Sequence, residues 1–168
     1  DVRKVIKALV TDEGVIVKKE DLTQKILKWI KKGFEKYVLI PPLPSLYLLE
    51  NGIIEVYDSD LRIDFEKLIK RFLEKDPLVL TKYVVFRDLA IRGYYIEDYI
   101  NNEMTILKGK KDIKDRETIY FIILEEGKNI EINKLNDILQ SKKISEEDNK
   151  FIVACVERRG NVTYYEVK

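Results

Sequence analysis

Histidine is absent from this chain of 168 residues, and cysteine, methionine and tryptophan occur once each. Without imidazole there is no Ser-His-Asp or Cys-His catalysis, no imidazole metal ligand, and no side chain that titrates near neutrality unaided. The lone Cys155 excludes an intrachain disulfide framework and a multi-cysteine zinc site. Acid or base chemistry would therefore fall to Asp, Glu, Lys, Tyr or Cys155. No apolar run approaches the ~20 residues of a membrane helix, and the first residues mix Asp1, Arg3 and Lys4 with short apolar stretches. Neither a membrane span nor a secretory signal is expected, which gives a cytoplasmic reading. An excess of one charge is missing as well: 31 Lys+Arg stand against 30 Asp+Glu, net +1. Global charge thus says nothing for a nucleic acid, a membrane or an acidic partner, although a local basic face can sit inside a balanced total. Glutamine is confined to Gln24 and Gln140, while charged residues reach 36%, a bias resembling that of hyperthermophile proteins.

What is present organises into one domain or two small ones able to bury roughly 70% of the unfolded surface. Val5 to Val10, the turn Asp12-Glu13-Gly14 and Val15 to Val17 read as a hairpin. Asp21 is expected to cap a helix carrying Leu22, Ile26, Trp29 and Ile30, with Gly33 as its stop and Lys25, Lys28, Lys31 and Lys32 on a solvated face. A strand Tyr37 to Ile40 ends at Pro41-Pro42, a helix starting at Pro44-Ser45 closes at Asn51-Gly52, and Ile53 to Tyr57 is a strand. Asp64 caps a helix with Phe65, Leu68, Ile69, Phe72 and Leu73 that ends at Asp76-Pro77. A domain boundary is placed there, giving domains 1–76 and 77–168. The second begins with a helix from Leu78 to Arg92 stopped by Gly93. Strands follow over Tyr94 to Ile100, Met104 to Lys108 and Thr118 to Leu124, then a short helix around Leu135, Ile138 and Leu139. The closing pair is Phe151 to Val156 and Val162 to Val167. Helices and strands in this order predict an α+β class.

Few constellations carry chemistry on their own. Glu126-Gly127-Lys128, downstream of Asp98, Asp112 and Asp115, has the Glu-x-Lys spacing of metal-dependent nucleases, in which carboxylates hold a cation and lysine stabilises the attacked phosphate. With this many acids and lysines the triplet arises easily by chance, and the preferred reading is an ordinary turn at a strand end with Gly127 as its turn residue. Cys155 lies in an apolar run and lacks a base, so it reads as core. No Gly-rich phosphate loop occurs. Tyr94, Tyr95 and Tyr99 beside Arg87 and Arg92 could stack on RNA, or pack a pleated sheet.

One stretch is specific. Lys82-Tyr83-Val84-Val85-Phe86-Arg87-Asp88-Leu89-Ala90-Ile91-Arg92-Gly93-Tyr94 resembles the opening helix and first strand of the catalytic-type domain of archaeal tRNA-splicing endonucleases. Ser45-Leu46-Tyr47-Leu48-Leu49 with Gly52 and Glu55-Val56 looks like that family's amino-terminal helix and strand, and Phe151 to Val167 like its carboxyl end. The resemblance implies an amino-terminal α/β domain followed by a nuclease-like mixed sheet with flanking helices. It implies metal-free cleavage of precursor tRNA by attack of a 2'-hydroxyl, leaving a 2',3'-cyclic phosphate and a 5'-hydroxyl, with a tyrosine as general base, a histidine as general acid and a lysine for the transition-state charge.

Carried over residue by residue, the three positions hold Lys108, Glu117 and Asn149. None is the family's residue, although Lys150 stands one place from the lysine position. The resemblance therefore implies a structural subunit that assembles, two of each, with a catalytic paralogue and meets precursor tRNA through the complex, with no cofactor, no metal and no membrane. It further implies subunit contacts through the last strand, Val162, Thr163, Tyr164, Tyr165 and Val167, and through the loop Glu157, Arg158, Arg159. In that loop only Glu157 supplies the acidic character the family uses. Arg87 and Arg92 remain candidate RNA contacts. Two alternatives stay open: a metal-dependent nuclease using Glu117 or Glu126 with Lys108 or Lys128, and an RNA-binding module without a nuclease partner.

Overall fold

The computed structural model describes residues 4–99, 106–128, 136–137, 140 and 149–167. It is an α+β protein whose chain divides into two compact units, Asp1–Leu80 and Thr81–Lys168. Among the described residues no helix is long and apolar enough to cross a membrane.

The first unit is built on a six-stranded sheet of β1 (Ile6–Thr11), β2 (Gly14–Lys18), β3 (Lys32–Gly33), β4 (Tyr37–Ile40), β5 (Ile54–Asp58) and β6 (Leu61–Ile63), in the order β3-β4-β2-β1-β5-β6. Alternation assigns its faces. Ala8, Val15, Val17, Val38, Ile40, Ile54 and Val56 are buried on one side. The hairpin turn needs Gly14, which sits at φ 141° with the Ile40 carbonyl oxygen only 2.0 Å from where a Cβ would be. Helix α2 (Pro42–Glu50) starts on a proline, whose missing N–H is not needed in a first turn. It buries Leu43, Leu46 and Leu48, and the buried Ser45 hydroxyl donates to the carbonyls of Ile40 and Pro41 at 3.0 and 2.8 Å. Helix α3 (Phe65–Leu73) is capped as expected by Asp64, whose carboxylate accepts the Lys67 N–H at 2.9 Å.

One expectation fails here and one element was not foreseen. The helix foreseen from Asp21 to Gly33 shrinks to α1 (Gln24–Leu27), with extended Thr23 ahead of it. The Lys31 N–H donates to the Leu39 carbonyl at 2.9 Å and Lys32–Gly33 pair with β4. Pairing with the sheet thus overrides the helical spacing, and Gly33 sits in a strand. β6 was not foreseen: it is three residues long, and its turn carries Ser59 at φ 55° rather than a glycine.

The second unit opens with α4 (Val79–Ile91), which buries Tyr83, Val85, Phe86 and Leu89. Gly93, at φ 90°, ends it in the left-handed conformation typical of helix termini. The sheet comprises β7 (Tyr95–Tyr99), β8 (Ile106–Lys110), β9 (Thr118–Glu125), β10 (Asn149–Val156) and β11 (Val162–Val167), in the order β11-β10-β9-β8-β7. β9 and β10 run parallel and the other neighbours antiparallel. β8 reaches Lys110, two residues past the expected end, while Met104 and Thr105 lie outside the described residues, as do Leu135, Ile138 and Leu139 of the expected short helix. One face carries Phe121, with the Tyr94 and Tyr164 rings edge-on at 5.6 and 6.3 Å. The other carries the buried cluster Ile106, Tyr120, Ile122 and Phe151, in which Tyr120 and Phe151 stack at 5.5 Å.

Candidate functional site

The register brings the three positions singled out by resemblance to one region of the second sheet. Asn149 pairs with Thr118, the residue after Glu117. Lys108 pairs with Tyr120, which in turn pairs with Phe151. Side chains two apart on a strand share a face, so Lys108 and Asn149 lie on the same side of the sheet, and Glu117 stands at the entry to β9, exposed. A separation of nine residues in one case and more than thirty in the other is closed by strand pairing alone.

As residue types these three do different chemistry from the tyrosine, histidine and lysine of the resemblance. A lysine is cationic where a general base must accept a proton, and carboxyls titrate about two units below imidazole. Asparagine carries no charge to set against a pentavalent phosphate.

The nuclease-like triplet is a turn. Gly127 sits at φ 81°, and the Lys128 N–H closes back on the Glu125 carbonyl at 3.2 Å. The Glu126 carboxylate accepts the Arg158 N–H at 2.9 Å, and the Glu126 N–H donates to the Val156 carbonyl, so this turn is fastened to the loop between β10 and β11. Lys128 pairs with Glu125, which also accepts from the Thr81 hydroxyl; these two partners, Lys128 foremost, hold the Glu125 carboxyl below its ordinary value of 4.5. The Asp115 carboxylate accepts the Asp112 N–H at 3.1 Å, and the Asp112 carboxylate accepts the Lys114 N–H at 3.0 Å. Among the described residues no group of three or more His, Cys, Asp or Glu is placed to hold a metal ion.

β11 is the outermost strand of its sheet, with β10 on one side. Its two faces differ sharply. Tyr164 points to α4, where its hydroxyl donates to Asp88 at 2.5 Å and the Arg92 guanidinium lies 5.3 Å from its ring. Arg92 also pairs with Asp88 at 3.0 Å. Burial first, then the bond to the Asp88 carboxylate, raises the Tyr164 hydroxyl far above its ordinary value. Tyr165, on the opposite face with Thr163 and Val167, is 59% exposed. Val162, Thr163 and Val167 are half-buried.

In the adjoining loop the Glu157 carboxylate accepts the Thr163 hydroxyl at 3.1 Å, and its N–H donates to the Asn161 carbonyl at 2.8 Å. Arg158 and Arg159 are exposed. Of the arginines considered for RNA, Arg92 is engaged with Asp88 and Tyr164, and Arg87 lies 5.6 Å from the Tyr83 ring. Tyr94 packs on Phe121. Sequence reasoning missed Asp88 as the anchor of β11; the signal available was an acid one helical turn before Arg92, inside the most specific motif.

No protein-family model matches the chain. It is 29% identical over 126 residues to a tRNA-splicing endonuclease of Methanosarcina acetivorans, covering 74% of this chain and 35% of that protein. It is 28% identical over 143 residues to the tRNA-splicing endonuclease of Thermococcus gammatolerans, covering 82% and 83%. For that of Pyrococcus horikoshii the identity is 28% over 127 residues, covering 75% and 72%. The chain thus spans about a third of the length of the Methanosarcina relative and most of the other two. Similarity at 25–29% identity across most of the chain, repeated in relatives of two lengths, supports the tRNA-splicing endonuclease family for this protein.

Proposed function

We propose that this chain takes part in removing introns from precursor tRNA as the structural, non-catalytic subunit of a splicing endonuclease. It would assemble two-and-two with a catalytic paralogue that carries the histidine. The observation that carries this reading is the convergence of Lys108, Glu117 and Asn149 on one region of one sheet in a chain with no histidine. The scaffold of the site is kept while its proton-transfer chemistry is gone. The metal-dependent alternative is weaker, because Glu126 and Lys128 are engaged in closing a turn.

The open edge of β11 supplies the means of assembly. Strand addition at such an edge combines main-chain hydrogen bonds with alternating side-chain burial, and Tyr165 is the large side chain available on it.

The purified chain, alone and then with a histidine-bearing paralogue, is incubated with precursor tRNA with and without Mg²⁺. Silence alone and cleavage on mixing, both independent of Mg²⁺, is the expected result. Cleavage by the chain alone would overturn the reading.

A further inference from the structure

The first unit's sheet has a second face that the core uses only in part, through the buried Leu39. One continuous row crosses all six strands there: Lys32, Leu39, Ile16, Leu9, Tyr57 and Arg62. Cations stand at its two ends and apolar or aromatic groups between them. Leu9 is 41% exposed. Beside the row lies a groove of about 380 Å³ lined by Lys4, Lys7, Leu9, Ile16, Lys18 and Tyr37, with Asp21 at its rim.

Two aromatic rings lie against these cations. Lys7 lies 5.6 Å from the Tyr57 ring, and Lys32 5.1 Å from that of Phe34, which is 45% exposed. Four cations on this face, Lys7, Lys18, Lys32 and Arg62, and Lys4 beside the groove stand with the carboxylates Glu55 and Asp21. One of the two, Glu55, is already occupied by Arg62 at 3.6 Å and the Tyr57 hydroxyl at 2.9 Å. In a chain of net charge +1, that excess is concentrated locally.

We propose that this face binds single-stranded RNA, with the lysines on phosphates and the apolar and aromatic groups under bases. Charge complementarity selects a polyanion, and rings set among the lysines select one that has flat faces to offer. Six strands at about 4.8 Å spacing span roughly 24 Å, a platform long enough for a few nucleotides. The proposal extends the reading above by adding an RNA contact remote in sequence from Lys108, Glu117 and Asn149.

The test uses the full chain and a fluorescein-labelled oligouridylate of eight nucleotides, with anisotropy titrations at several KCl concentrations. Lys7→Gln with Lys18→Gln should weaken binding at least tenfold at low salt and flatten the salt dependence by roughly 0.7 log units per lysine. Lys67→Gln with Lys70→Gln on α3 should change neither. Equal loss in both variants, or no measurable binding by the native chain, would overturn the proposal. So would loss of assembly with the paralogue in the Lys7/Lys18 variant without loss of RNA binding, an outcome that marks the face as a protein interface. Because the chain is titrated alone, this result and the cleavage result can fail independently.

Discussion

Replacing Tyr165 by aspartate should break assembly while leaving the isolated chain folded. Tyr165 is 59% exposed; for a ring residue that buries roughly 150–250 Å² when fully covered, about 120 Å² is left for a partner strand to cover. At about 25 cal/mol per Å² this is worth up to about 3 kcal/mol, or roughly a hundredfold in association constant. A carboxylate brought there without a counter-charge adds desolvation cost in the same direction. In the isolated chain the same change, at a solvent-facing position of an edge strand, should cost no more than about 1 kcal/mol. Sedimentation or light scattering of the chain mixed with its paralogue reads the first effect, and a urea melt of the chain alone reads the second. Tyr164→Asp is the contrast: it removes the ring packed on Phe121 and the bond to Asp88 and leaves a carboxylate on the face turned to α4, and should destabilise the chain itself. Unchanged complex mass for Tyr165→Asp would refute pairing through β11. A urea midpoint that falls as far for Tyr165→Asp as for Tyr164→Asp would refute the division of the strand into an inner and an outer face.

Three further outcomes are expected. Glu117→Gln should leave cleavage by the assembled enzyme unchanged; a large loss in single-turnover rate would show that this carboxylate acts in catalysis. Tyr164→Phe removes a hydrogen bond to a charged acceptor that Arg92 continues to hold, so the loss should be about 1 kcal/mol by urea unfolding, and an unchanged midpoint would mean that Asp88 does not anchor the strand. Gly14→Ala forces a Cβ to 2.0 Å from the Ile40 carbonyl oxygen at φ 141°, and should cost on the order of 2 to 3 kcal/mol; native-like stability would show that the hairpin relaxes freely.

Elements whose signals are local were legible in the sequence. The β1–β2 hairpin, α3 with its Asp64 cap, α4 with its glycine stop and the β10–β11 pair all follow from spacing and turn chemistry within a dozen residues. The misses come from competing signals. Ile26 and Trp29 are buried as helical spacing predicts, yet the helix stops at Leu27 because residues 31–33 pair with β4 a few residues on, and that hairpin pairing overrides the helical spacing. The site divides in the same way. That Lys108, Glu117 and Asn149 converge depends on the β8–β9 and β9–β10 registers, which composition does not encode, and resemblance placed the three before geometry did. Tyr164 and Tyr165 are indistinguishable as sequence neighbours. Only alternation against a known α4 shows that one is turned to Asp88 and the other outward.

The bond from Tyr164 to Asp88 has an entropic meaning for whatever meets β11. Ordering a loose strand on contact would charge the encounter roughly 1–2 kcal/mol for each residue fixed. Here the midpoint of a six-residue edge is clamped to a helix from within, so that ordering is settled when the chain folds. A strand added there, as proposed, would meet a preorganised template, and its affinity would depend on how firmly a hydroxyl on the hidden face holds the visible one in shape.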